Sequence, residues 1–140
     1  MVLLIYFLFF SEEYGRTTHY TEYQYNLTLF RELSRYIKYR DVVGIDYFLI
    51  NVVGNVVVFM PFGFFVPSLE RKKHRSALEF LKITVMGFLF SLAVETVQLV
   101  TKVGCFDVDD LLLNTIGVAL GYICYRICRW ILAKRKRGQT

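Results

Sequence analysis

The stretch that decides the fold is Thr84-Val-Met-Gly-Phe-Leu-Phe-Ser-Leu-Ala-Val-Glu-Thr-Val-Gln98, followed after a short loop by Asp110-Leu-Leu-Leu-Asn-Thr-Ile-Gly-Val-Ala-Leu-Gly121. Both halves are apolar except along one line. Residues three and four positions apart share one face of a helix. The polar and small residues recur at these steps: Thr84, Gly87, Ser91, Glu95 and Gln98 in the first half, and Asp110, Asn114, Gly117 and Gly121 in the second. Two apolar helices that each carry one polar stripe are typical of a membrane bundle.

The whole chain is apolar enough to lie in a membrane. Of its 140 residues, 55% are hydrophobic and 17% are aromatic, with a mean hydropathy of +0.40. The apolar residues form three blocks, at 47–69, 80–101 and 111–132, and a helix needs about 20 such residues to cross the hydrocarbon. The sequence therefore predicts a single all-α domain over residues 1–140, a small polytopic membrane helical bundle with three full transmembrane helices.

Two further elements are predicted before these spans. Residues 1–10 are wholly apolar, but ten helical residues reach only about 15 Å, half of a bilayer. We interpret them as the outer end of a truncated first span; the alternative is a short interfacial anchor. In residues 26–40, Leu29, Leu33 and Tyr36 recur at helical spacing with charges between them, which predicts an amphipathic helix at the outer interface.

The basic residues predict the orientation. Four lie in 70–79 and four in 134–137, whereas 103–110 contains none. Cytoplasmic flanks carry the Lys and Arg, so the loop 70–79 and the C-terminus are expected inside, with 11–45 and 102–110 outside. Anionic headgroups already explain such juxtamembrane charge. Membrane lipids are therefore the expected partners, and nucleic acid is not.

The polar residues of the three spans are expected to meet in the outer half of the membrane. At 1.5 Å per residue, Glu95, Gln98 and Asn114 should lie at similar depth. The candidate ligand-binding cluster is Asn51, Asn55, Glu95, Gln98, Asp107, Asp110 and Asn114. Below it, Gly117 and Gly121 would let backbones approach, and their expected partner is the Gly87–Ser91 face.

Several roles remain open for these residues. An acid inside a membrane usually marks a site, so we interpret Glu95 as functional; the alternative is a protonated group that only holds helices together. Asp107, Asp109 and Asp110 would bind an ammonium group or a divalent cation; the alternatives are that the acidic loop is merely solvated and that Asp110 caps its helix. Acid–base catalysis would need burial to raise the pKa of one carboxyl group. The cluster has no His, Cys or Ser nucleophile with a base beside it, which favours binding over catalysis, and no cofactor other than that cation is expected.

Three ordered motifs resemble those of the VanZ-like membrane proteins. They are Asn51-x-x-Gly-Asn55-x-x-x-Phe59-x-Pro-Phe-Gly63-x-x-x-Pro67, Ser91-x-x-x-Glu95-x-x-Gln98 and Phe106-Asp107-x-Asp-Asp110-x-x-x-Asn114-x-x-Gly117-x-x-x-Gly121. The stretch Tyr25-Asn26-Leu27-x-Leu-Phe30 is similar to the segment after the family's first span, so the likeness covers nearly the whole chain. Two departures stand out: the first span is shortened, and Gly104-Cys105 occupies the region where many members carry an Arg.

The resemblance implies a bacterial cytoplasmic-membrane protein linked to glycopeptide antibiotics. The name-giving member lowers susceptibility to teicoplanin, a lipid-tailed glycopeptide that acts on peptidoglycan precursors outside the cell, and no established reaction comes with the family. We expect this chain to bind or modify a lipid-linked envelope molecule, or the lipoglycopeptide itself, and to contribute to teicoplanin-type resistance. The alternatives are an intramembrane acid–base enzyme acting on a cell-wall lipid precursor, and a structural or partner-interaction protein. The oligomeric state does not follow from the sequence.

Overall fold

The computed structural model describes residues 23, 25–31, 34, 38, 45–69, 77–102 and 105–138. Within them the chain forms, in order, β1 (Tyr25–Asn26), α1 (Ile45–Leu69), α2 (Ala77–Thr101), β2 (Phe106–Asp107) and α3 (Val108–Arg137). The predicted partial span at 1–10 lies outside the described residues. Of the predicted interfacial helix 26–40, positions 31, 34 and 38 are helical, whereas Asn26 belongs to a strand.

The three helices of the described part are long and apolar enough to cross a membrane. At 1.5 Å per residue, α1 and α2 with 25 residues each are about 38 Å long, and α3 with 30 residues is about 45 Å long. The hydrocarbon core of a bilayer is about 30 Å thick, so each helix is long enough to cross it. Their outward surfaces carry exposed Leu, Val, Ile and Phe side chains, which suit contact with lipid tails. The predicted helical membrane bundle is confirmed.

The helices α2 and α3 form the antiparallel hairpin that the sequence predicts. Near one end, Asn114 of α3 donates from Nδ2 to Ser91 Oγ of α2 at 2.9 Å. Towards the other end, the Tyr122 hydroxyl of α3 donates to Glu79 Oε2 of α2 at 3.1 Å. These two bonds show that α2 and α3 run in opposite directions.

Helices α1 and α3 run in the same direction and meet backbone to backbone. A Cβ atom at Gly117 would fall well inside 3.0 Å of the Val56 carbonyl oxygen, and one at Gly121 would do the same against the Met60 carbonyl oxygen. Small residues allow such an approach between membrane helices. The partner predicted for this glycine face, Gly87–Ser91 of α2, is therefore wrong, because α1 occupies the face.

Val118 lies where the three helices meet. The Val118 side chain is fully buried. A Cβ atom added at Gly87 of α2 would lie 2.9 Å from the Cβ atom of Val118. Its carbonyl group faces Gly63 of α1 across a gap too narrow for a Cβ atom. Gly87 thus makes room for a valine side chain rather than for another helix backbone. The surrounding core is aromatic and aliphatic, and contains Phe59, Ile83, Val94, Tyr122 and Tyr125.

The two strands close one end of the bundle. β1 pairs with β2 in parallel, with Tyr25 opposite Phe106 and Asn26 opposite Asp107. We call this the capped end. The opposite end, where α2 begins and where α3 carries its last basic residues at 126–137, is called the basic end.

Candidate functional site

The capped end gathers most of the buried polar side chains of the described residues. A polar group that leaves water costs free energy unless it finds a hydrogen-bond partner, so such a concentration needs an explanation. Eight polar side chains here are less than a tenth exposed: Asn26, Asn55, Ser91, Glu95, Gln98, Asp107, Asp109 and Asn114. We call this set, together with the half-buried Asn51 and Asp110, the polar cluster.

Asp107 caps the N-terminus of α3. Its backbone is extended, with φ −124°, and its Oδ1 accepts the backbone N–H of Asp109 at 2.8 Å. A carboxylate in this position satisfies an amide that has no partner within the helix. The alternative that Asp110 caps the helix is wrong, because Asp110 already lies inside the first turn. Its Oδ1 instead accepts from Asn55 Nδ2 at 2.6 Å, which ties α1 to α3.

A clasp of residues 25–30 covers the cap. Asn26 donates from Nδ2 to both carboxylate oxygens of Asp107, at 3.2 Å each. The Oδ1 of Asn26 accepts the Thr28 N–H at 3.2 Å, which turns the chain in the manner typical of Asn. Phe30 then adopts a positive φ of 62° and donates its N–H to the Asp109 carboxylate. The clasp thus holds both ends of the acidic Asp107–Asp109 turn.

Glu95 connects α2 to this turn. It is 3% exposed, and its Oε2 accepts the backbone N–H of Asp107 at 3.3 Å. Gln98 follows on the same face of α2 and is 4% exposed. The structure therefore brings Glu95 and Asp107 together as the sequence predicts, through the main chain of the acidic loop.

Asn114 forms the floor of the polar cluster. Its side chain bonds to Ser91, which lies one turn before Glu95 on α2. Asn114 is 1% exposed, and among the described residues its Oδ1 has no hydrogen-bond partner. A buried acceptor in this state is ready to receive an N–H or O–H from outside the chain.

Burial raises the pKa of the Asp107 carboxyl group above its ordinary 3.8. The hydrogen bonds from the Asp109 N–H and the Asn26 amide oppose this shift, the Asp109 charge adds to it, and the Arg31 charge lowers the pKa. Desolvation disfavours the charged form of an acid. Asp107 therefore holds its proton to higher pH than an exposed aspartate does.

The three aspartates of the loop are turned to different partners. Asp107 faces Asn26 and its own helix start, Asp109 receives the Phe30 N–H, and Asp110 receives the Asn55 amide. Within the described residues, no group of three or more His, Cys, Asp or Glu side chains is arranged to hold a metal ion. In the described residues Asp107, Asp109 and Asp110 therefore do not converge on one point.

Two residues with clear roles in the fold were missed from the sequence. Asn26 was assigned to an amphipathic helix, although the Tyr25-Asn26-Leu27 stretch is one of those that carry the resemblance. Glu79 was placed in the loop 70–79, but α2 begins at Ala77 and buries this carboxylate at the basic end. Asn51 of α1 lies one turn before Asn55 and is half-buried.

Comparison with known proteins agrees with this organisation. The family model described as VanZ/LLP1 matches residues 1–129. No curated protein and no solved structure matches the chain. The family match spans all three membrane-crossing helices up to the final basic segment, and it includes every residue of the polar cluster. This membrane protein belongs to the VanZ/LLP1 family.

Proposed function

We propose that this protein binds a lipid-linked cell-envelope molecule, or a lipoglycopeptide, at the polar cluster, and that binding contributes to teicoplanin-type resistance. One observation carries the proposal: eight buried polar side chains are concentrated at the capped end, around the 3% exposed Glu95. Membership of the VanZ/LLP1 family supports the link to glycopeptide antibiotics.

Helix packing does not by itself explain why this cluster contains buried carboxyl groups. The contact between α1 and α3 is supplied by Gly117 and Gly121, which lie deeper than the acidic turn, and the core around Phe59 and Val118 joins all three helices. A buried carboxylate costs several kcal/mol when it is charged. A bundle that only had to hold together would be better served by apolar residues at Glu95, which favours a role in binding.

The chemistry of the cluster suits a ligand rich in hydrogen-bond donors. Carboxylate oxygens accept from ammonium, amide and hydroxyl groups, and the unpartnered Asn114 Oδ1 adds a deep acceptor. The outer surfaces of the three helices are apolar. A molecule with a glycan or peptide head and an acyl tail would place its head at the capped end and its tail along the helices. The distribution of Lys and Arg predicts that this end faces outward, and an envelope molecule would reach it from that side.

The test is teicoplanin susceptibility in a sensitive host that expresses wild type, Glu95→Gln or a neighbouring control, Thr96→Val. Thr96 is exposed and its hydroxyl donates only to the Leu92 carbonyl of its own helix. We expect wild type and Thr96→Val to raise the inhibitory concentration, and Glu95→Gln to lose that effect at an equal level in the membrane. Full resistance from correctly inserted Glu95→Gln would assign Glu95 to helix packing.

A second candidate is acid–base action on a cell-wall lipid precursor. The buried Asp107 carboxyl group favours it, because desolvation raises its pKa, which is the direction that a general acid needs. Lipid extracts of cells that overexpress the protein separate the two candidates. Chemically altered precursors would favour catalysis, and unchanged precursors together with altered antibiotic uptake would favour binding.

A further inference from the structure

A groove of about 570 Å³ lies at the basic end, between the start of α2 and the last turns of α3. Glu79 and Phe80 form the α2 wall, and one face of α3 from Tyr122 to Arg137 forms the other. The groove is at the opposite end of the bundle from the polar cluster, so the function proposed above does not use it.

Among the described residues, four basic side chains and one carboxylate line this groove. Glu79 is 7% exposed and its Oε2 accepts the Tyr122 hydroxyl, so the carboxylate lies on the floor. The basic residues are exposed or half-buried and lie towards the opening: Arg126, Arg129, Lys134 and Arg137. The opening is therefore positively charged, and an anion would meet cations before it met Glu79.

Two tyrosines hold the arginines in place. Arg126 donates from Nη1 to the Tyr122 hydroxyl at 3.2 Å, and its guanidinium lies 5.9 Å from the centre of that ring. Arg129 likewise donates from Nη1 to the Tyr125 hydroxyl at 2.9 Å, and its guanidinium lies 5.6 Å from the centre of the Tyr125 ring. A guanidinium carries five N–H donors in a planar fork, so one bond to tyrosine leaves donors for a phosphate. Each arginine is thus oriented before any anion arrives.

The rest of the lining is apolar. Phe80, Ile123, Ile127 and Trp130 lie in the same groove as the basic residues. Ile123 precedes Arg126 by three residues and Lys134 by eleven, about 5 Å and 16 Å along the helix. The lining therefore runs from an apolar inner end, through arginines that alternate with apolar side chains, to a basic outer end. A phospholipid has this order of chemistry, acyl chains followed by a phosphate, whereas a soluble phosphate would leave the apolar part uncovered.

We propose that this groove binds an anionic phospholipid of the adjacent leaflet, with its phosphate held by Arg126 and Arg129. The acyl chain lies along Ile123 and Ile127, and Lys134 adds charge at the opening. Such a lipid is a fixed component of the basic end rather than part of a diffuse layer.

Trp130 provides a direct probe. It is the only tryptophan in the chain, lines the groove and is 64% exposed. The full chain is reconstituted in phosphatidylcholine vesicles, and the acyl-brominated form of either phosphatidylglycerol or phosphatidylcholine is added at equal mole fraction. Bromine quenches tryptophan fluorescence on contact. We therefore expect brominated phosphatidylglycerol to quench Trp130 at a much lower mole fraction than brominated phosphatidylcholine does. Equal quenching by the two lipids would overturn the proposal.

Matched variants separate a site from general attraction. Arg126→Gln/Arg129→Gln and Arg135→Gln/Lys136→Gln remove the same charge from the same end of α3, but only the first pair lines the groove. Because each arginine of the first pair would lose hydrogen bonds to the phosphate as well as its charge, this pair should lower the preference for the anionic lipid by at least roughly 30-fold. We expect the second pair to retain most of it, and Glu79→Gln to strengthen it by removing the floor carboxylate. Equal losses from both pairs would show diffuse attraction and overturn the site.

Inorganic phosphate distinguishes the source of the anion. Added to wild type in the same vesicles at millimolar concentration, it should leave the quenching by brominated phosphatidylglycerol unchanged. Loss of that quenching would assign the groove to a soluble phosphate compound and overturn the lipid. These measurements contain no antibiotic, so their failure is distinct from failure of the function proposed above.

Discussion

Gly121→Ala should separate α1 from α3, whereas Gly54→Ala should be harmless. The added Cβ atom at position 121 would fall well inside 3.0 Å of the Met60 carbonyl oxygen, while ordinary contact begins near 3.4 Å, so the backbones must move apart by about 1 Å. Neither backbone can rotate out of the way as a flexible side chain would. At Gly54, no atom lies within 4 Å of the added Cβ.

The expected difference between these variants follows from two opposing terms. Overpacking a close contact costs about 1–3 kcal/mol, and at Gly121 the added Cβ atom meets backbone, so this cost should exceed the gain in helix propensity. Gly54→Ala keeps the full gain of about 1 kcal/mol. Because both variants make the same gain in helix propensity, the gap between them is the cost of the clash, about 1–3 kcal/mol. This corresponds to a difference in Tm of roughly 3–10 °C for a domain of this size.

The assay is thermal unfolding of both variants and wild type in a mild detergent, followed by size-exclusion chromatography of heated samples. We expect Gly54→Ala to unfold at or above the wild-type temperature and Gly121→Ala clearly below it. Equal Tm values for the two alanine variants would refute the backbone contact between α1 and α3.

Two further predictions concern the capped end. Asn26→Ala removes the donor to both oxygens of the buried Asp107 carboxylate, which costs about 1–3 kcal/mol; thermal unfolding should show a lower Tm, and an unchanged Tm would contradict the clasp. Asp107→Asn tests the raised pKa. The pKa of Asp107 in the folded protein lies above its ordinary value of 3.8. Its contribution to the free energy of unfolding is therefore fully present below pH 3.8 and is lost as the pH rises through the folded-state pKa. Asparagine also caps helices but carries no charge, so the Tm of Asp107→Asn relative to wild type should rise from acid to neutral pH, and a constant difference would count against burial as the cause.

The membrane spans could be predicted because their signal is local. Each apolar block is as long as a bilayer is thick, and the described helices cover all three predicted blocks. The helix ends were less accurate, since α3 continues through its basic tail to Arg137. Lys and Arg in the last turn favour the negative end of the helix dipole, so this segment stays helical beyond the apolar block.

The partners of the polar residues could be predicted only in part. Periodicity places Glu95 and Asn114 on inward faces, and both are buried. It does not say which residues meet, and the bond from Asn26 to Asp107 joins positions 81 residues apart. The glycine face shows the same limit: its spacing predicts a close approach, but the choice of α1 over α2 depends on how all three helices pack.

The central claim is that the polar cluster binds a ligand rather than only holding helices together. The most direct measurement is equilibrium binding of teicoplanin to the full chain in lipid nanodiscs, for wild type, Glu95→Gln and the control Thr96→Val. The account predicts saturable binding to wild type and Thr96→Val, and at least a tenfold weaker affinity for Glu95→Gln at an unchanged Tm. Loss of one charged hydrogen-bonding group costs about 1.5–3 kcal/mol, which is the basis for that factor. Identical affinity of folded Glu95→Gln and wild type would contradict the account and leave Glu95 as part of the helix packing.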